Sequence, residues 1–95
     1  MDLPTGTVTF LFTDVEGSTR LLDEVGSERY GKLLAVHHRV CREAWFAHGG
    51  VEVDTAGDAF FVAFPTASGA LQAATHAQEG LATVCVRVRM GVHTG

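Results

Sequence analysis

Lysine is nearly missing from this chain: Lys32 is the only one in 95 residues, so any mechanism that needs a lysine elsewhere is excluded. Proline occurs twice, which argues against a linker-rich or disordered chain. Cysteine also occurs twice, as Cys41 and Cys85, with neither CxxC spacing nor a disulfide-rich context. Both are expected to be reduced and packed. Long apolar runs are missing too. The apolar stretch near the start runs only from Val8 to Phe12, too short and too poorly flanked for a signal peptide or a membrane helix, so a cytoplasmic chain with no membrane contact is expected. Positive charge is scarce, with 7 basic against 11 acidic side chains and a net charge of −4. That balance repels phosphate backbones unless a divalent cation intervenes, and no contact with nucleic acid is expected.

What is present suffices for a folded domain. Hydrophobic residues make up 46% and charged residues 19%, and a chain of 95 residues forms one domain at most. Residues Thr7 to Thr13 are β-branched and aromatic with apolar residues on both alternating faces, as in a strand at the middle of a sheet. Gly17-Ser18-Thr19 then offers hydroxyls for a helix cap, and Leu21, Leu22 and Val25 follow at helical spacing up to Gly26. Ser27 is a second candidate cap. Tyr30, Leu33, Leu34, His37, Cys41, Ala44 and Trp45 trace one face of a long helix that ends at His48-Gly49-Gly50. Val51 to Thr55 alternates, Ala56-Gly57-Asp58 turns, and Ala59 to Phe64 completes a hairpin. After Pro65, Ala67, Ala70, Leu71, Ala74, Ala77 and Leu81 form a small-residue helix stripe, and Val84 to His93 alternates as a last strand.

In order these elements give βααββαβ, an α+β ferredoxin-like sandwich with an antiparallel sheet and helices on one face. Its two central strands are the first and the third. Asp14 closes one and Asp58 opens the other, so the topology places the two carboxylates at one edge of the sheet. Adjacent carboxylates must share a proton, be held apart or bind a cation. Oxygen-only ligands favour Mg2+ or Mn2+ with positions left open for phosphates. Beside Asp14, the stretch Glu16-Gly17-Ser18-Thr19 opens a helix whose free amides suit an anion. Metal carboxylates plus an amide cradle describe a triphosphate site.

The stretch from Phe10 to Thr19, Gly57-Asp58-Ala59-Phe60-Phe61, and Arg89-Met90-Gly91-Val92-His93-Thr94-Gly95 together resemble the class III adenylate and guanylate cyclase catalytic domain. The resemblance implies a single partial domain over 1–95 in which Asp14, Asp58 and the backbone carbonyl of Val15 bind two Mg2+ or Mn2+ ions. It also implies that Glu16, Gly17, Ser18 and Thr19 lie along the phosphates of ATP or GTP. The reaction it implies is attack of the ribose 3′ hydroxyl on the nucleotide's own α-phosphorus, giving a 3′,5′-cyclic nucleotide and pyrophosphate in a homodimer. Family members commonly carry a purine-reading lysine four residues before the second metal aspartate, where this chain has Asp54, an acceptor only. The family's later base-reading, ribose-orienting and transition-state residues fall beyond Gly95, so the chain alone is expected to be nearly inert.

Two other readings stand beside this one. A degenerate cyclase-homology module would bind nucleotide weakly or only dimerise, regulating attached domains further along the protein. A strand ending in Asp-Val-Glu-Gly-Ser-Thr also resembles the nucleophile motif of haloacid-dehalogenase-type phosphatases, but that chemistry needs a later lysine or arginine beside the phosphate, and Lys32 falls inside the long helix. Of the five histidines, His37 shares the core face of its helix with Cys41, one turn away, and no ligand cluster has zinc spacing. Arg87 and Arg89 either contact a nucleotide or partner or, as is commoner for such a pair, decorate a solvated strand face.

Overall fold

The computed structural model describes residues 6–84 and 86–95. The elements are β1 (Thr9–Val15), α1 (Ser18–Val25), α2 (Ser27–Ala47), β2 (Val51–Ala56), β3 (Ala59–Phe64), α3 (Ala67–Leu81) and β4 (Val88–Thr94). The sheet order is β2-β3-β1-β4 with every neighbouring pair antiparallel. This is the expected ferredoxin-like order. The α1–α2 connection carries the chain past one strand position, and β3 fills the gap by folding back from β2.

Alternation along β1 decides which face is covered. Thr9, Leu11, Thr13 and Val15 are buried toward the helices, while Phe10, Phe12 and Asp14 point to the opposite, open face. Leu11, Val62 and Phe64 meet Cys41 and Ala44 of α2 and Ala70, Ala73 and Ala77 of α3 in one core cluster. The alanine stripe lets α3 lie close, as expected of small residues on a packed helix face. On the open face Phe12 stacks on Phe61 at 4.7 Å and Phe10 meets Phe61 edge-on at 5.0 Å, yet Phe12 stays 45% exposed.

Local details differ from the sequence expectations. The cap of α1 is Gly17 itself, at φ 63° in the left-handed region that favours glycine, and no side-chain hydroxyl caps the helix. Ser27 is the first residue of α2 and caps nothing; Gly26 precedes it at φ 83°. Thr66, unmarked by the helix pattern, caps α3 by accepting from the Gly69 amide at 3.0 Å. Ala56 belongs to β2, which leaves Gly57 and Asp58 as the turn, with Gly57 at φ 59°. The last strand begins at Val88, four residues later than its alternation suggested. Cys41 is packed as expected, and Cys85 lies outside the described residues.

Candidate functional site

The site is assembled on the open face by register. Asp14 sits directly opposite Arg89 of β4. The guanidinium donates from Nε to Oδ1 and from Nη2 to Oδ2, both at 2.9 Å, a bidentate cross-strand pair of opposite charges. Bonding to Asp14 raises the Arg89 pKa above its ordinary value. Sequence reasoning placed Arg89 on a strand face that is solvated or contacts a nucleotide or partner, and did not pair it with Asp14. The signal that could have found its partner was the antiparallel pairing of β1 with β4, counted back from the strand ends.

Asp54 reaches the same face through a bulge. The β2–β3 register runs Val51 to Ala63 and Glu52 to Val62, then shifts so that Asp54 pairs with Phe61. The extra residue, Val53, breaks the strict alternation. Glu52 therefore turns toward α2, where Arg42 donates to both its carboxylate oxygens at 2.9 and 3.2 Å, and Asp54 turns the other way. The hydrogen bond from Arg42 holds the Glu52 carboxyl below the usual range, and the Thr55 hydroxyl adds to it at 2.6 Å. Phe12, Asp14, Asp54, Phe61, Arg89 and Gly91 line a cleft of about 530 Å³ on the open face.

The other sequence-marked residues do not all converge there. Asp58 closes the turn before β3 and does not line the cleft; its charge is felt instead by His37 on the helical side. Glu16 and Gly17 line a separate hollow with Arg20, Glu24 and Arg87. The Glu16 amide is spent, donating to the Arg87 carbonyl at 2.8 Å. The first bond within α1 runs from the Leu21 amide to the Gly17 carbonyl, which leaves the amides of Ser18 and Thr19 among the unpaired donors of a helix start. Val15 is buried at the end of β1.

Carboxylate oxygens such as those of Asp14 suit a hard cation. Asp14 and Asp58 lie at the same end of two adjacent strands, but only Asp14 lines the cleft, where it already holds a positive group in the Arg89 guanidinium. An ion at Asp14 competes with that guanidinium for the carboxylate oxygens. Among the described residues no three His, Cys, Asp or Glu side chains cluster closely enough to hold an ion. His37 and Cys41 are fully buried in the core. Burial, helped by His38 and opposed by Asp58, pushes the His37 pKa down to about 4, and burial pushes the Cys41 thiol up to about 12, so neither behaves as an exposed ligand. No described helix is long and apolar enough to cross a membrane.

Known proteins share this chain's sequence and fold. An adenylate cyclase of Neurospora crassa is 43% identical over 68 residues, which cover 72% of this chain and 3% of that protein. An uncharacterized protein of Mycobacterium tuberculosis is 39% identical over 94 residues, 97% of this chain and 32% of its own length. Among solved structures, an adenylate cyclase from Trypanosoma brucei in its monomeric state matches with a TM-score of 0.83 at 28% identity, over 100% of this chain and 59% of that one. The guanylate cyclase domain from Catenaria anguillulae in complex with GTP shares the fold at a TM-score of 0.83 and 19% identity, over 94% of this chain and 56% of its own. The chain thus spans a small share of its curated relatives and less than two thirds of these solved cyclases. The family model of the adenylate and guanylate cyclase catalytic domain matches residues 2–95, and the chain belongs to that class III family.

Proposed function

We propose that this chain is the N-terminal part of a nucleotidyl cyclase domain that, in its complete dimeric form, converts ATP or GTP to a 3′,5′-cyclic nucleotide and pyrophosphate. The observation that carries the proposal is the open-face cleft, where Asp14, one residue from the end of a central strand, offers its carboxylate beside the Arg89 guanidinium. Asp14, Asp58 and the Val15 carbonyl are the candidate ligands for Mg2+ or Mn2+. When bound, such ions neutralise phosphate charge and favour ionisation of the attacking hydroxyl. The chain's own part is to orient: the amides of Ser18 and Thr19 receive phosphate oxygens, and Asp54 stands where family members read the base. Glu16 and Gly17 contribute to this helix start through their position, since the Glu16 amide is already bonded. A carboxylate at position 54 accepts hydrogen bonds and cannot donate, so it favours a donor on the purine edge.

The supporting comparison for a nucleotide substrate is the relative solved in complex with GTP. The test is cyclic-nucleotide production by the full-length parent with Mn2+ and ATP or GTP. Asp14→Asn and Asp58→Asn should each abolish it; turnover that survives loss of both would sink the metal assignment. Two observations favour a second reading, a cyclase-homology module for dimerisation or regulation: Arg89 occupies both oxygens of Asp14, and Asp54 stands in place of the purine-reading lysine. Metal-dependent nucleotide binding that needs Asp14 supports the enzyme, whereas dimerisation with no nucleotide binding supports the module.

A further inference from the structure

Two histidines 28 positions apart meet on the helical side of the molecule. His48 follows the last turn of α2, and His76 lies in the middle of α3. His48 Nε2 and His76 Nδ1 stand 3.2 Å apart, with the rings nearly perpendicular at 89°. One shared proton between neutral imidazoles accounts for that distance. The same separation also fits two nitrogens bound to one metal ion. Imidazole nitrogens bind zinc at about 2.0–2.1 Å, and two such bonds spanning 3.2 Å meet at roughly 100–105°, close to the tetrahedral angle.

The surroundings favour a cation. His48 and His76 share a solvent-open hollow of about 370 Å³ with Gln72, Thr75 and Glu79. Glu79 lies three residues beyond His76, on the same helix face, and brings a negative charge. The C-terminal end of α2 arrives at the same place, and its terminal carbonyls carry the negative end of the helix dipole. His48 is half-buried and His76 exposed, so an ion enters without unfolding anything.

The geometry points to a second metal site, in which His48 Nε2 and His76 Nδ1 together bind one divalent transition-metal ion of the zinc or nickel class. No cluster of three His, Cys, Asp or Glu forms among the described residues, so water completes the coordination and Glu79 acts through its charge. Nitrogen donors select zinc, copper or nickel, whereas the carboxylates of the open-face cleft suit magnesium or manganese. The two sites are chemically separable, and this one does not depend on the cyclase reading. An ion here ties the end of α2 to α3 and stabilises the fold by mass action.

Calorimetric titration of the 95-residue chain near neutral pH with Zn2+ alone, with Ni2+ and Mg2+ as comparison ions, tests the site. One Zn2+ should bind per chain, Ni2+ should compete and Mg2+ should not. The imidazole nitrogen resonances of His48 and His76 should shift on binding. His48→Gln or His76→Gln should weaken zinc binding on the order of 100-fold, at or beyond the ~10–100-fold typical of a lost outer-shell partner. Asp14→Asn with Asp58→Asn should leave it unchanged. Circular dichroism checks that the glutamine variants remain folded, and the resonance shifts of the parent chain test the site without any variant. The proposal is overturned by a parent that binds no zinc, by undiminished binding in the double glutamine variant, or by shifts at His38 or His93 instead.

Discussion

Replacing His37 by leucine tests how the core treats an imidazole that it does not pair. His37 is fully buried beside His38 and Phe60, and neither ring nitrogen has a hydrogen-bond partner among the described residues. Burial above all, then the neighbouring His38, lowers its pKa from 6.5 to about 4, while Asp58 works in the opposite direction. Above pH 6.5 the ring is neutral in both folded and unfolded chains, and stability is at its full value. Between pH 6.5 and about 4 the unfolded chain takes up a proton that the folded core refuses, so stability falls with pH. The loss is about 3 kcal/mol once pH has dropped through the folded value, from about 1.4 kcal/mol per pH unit. His37→Leu removes this dependence. At neutral pH the variant should be at least as stable as the parent, because an unpaired buried polar group costs about 1–3 kcal/mol and leucine has none. Urea unfolding followed by the fluorescence of Trp45, the only tryptophan and 2% exposed, reads both effects from pH 4 to 8. Parallel loss of stability in parent and variant between pH 6.5 and 4 would refute the reasoning. So would a folded-state titration of His37 with its midpoint near 6.5.

Two further outcomes follow from the packing and the cleft. A methyl group added at Gly50 meets two ring carbons of the fully buried Phe64 at 2.7 Å and the Trp45 carbonyl at 3.0 Å, so Gly50→Ala should destabilise by about 1–3 kcal/mol in the same urea assay; an unchanged midpoint would show that the Phe64 ring yields freely. Arg89→Gln removes the guanidinium that occupies both oxygens of Asp14, so Mn2+ titration followed by electron paramagnetic resonance should show tighter binding than in the parent, an increase that Asp14→Asn cancels. Equal or weaker Mn2+ binding in the glutamine variant would mean that the guanidinium does not compete for Asp14.

Element order was readable because periodicity and punctuation agree along most of the chain. The alternation around Leu11 and Phe12, the three- and four-residue steps from Tyr30 to Trp45 and the Gly57-Asp58 turn each carry a local signal. Ends were read less well. Gly17 caps α1 through its own left-handed backbone, which a search for hydroxyl caps passes over, and Thr66 caps α3 from beyond its apolar stripe. The last strand starts at Val88 because pairing with β1 begins only there, and alternation alone does not reveal where a partner strand stops.

The sequence by itself determined the family motifs, the βααββαβ order and the placing of Asp14 and Asp58 at one end of adjacent central strands, because these depend on local patterns and a topology with few alternatives. Only the tertiary structure decided which face each carboxylate serves. A strand's side chains alternate, so one bulged residue at Val53 sends Asp54 to the open face and leaves Glu52 with Arg42. Register between strands 75 residues apart in sequence sets Arg89 on Asp14, and the packing of α2 on α3 brings His48 to His76. Such long-range pairings arise from the geometry of the assembled sheet and helices, which no window of neighbouring residues contains.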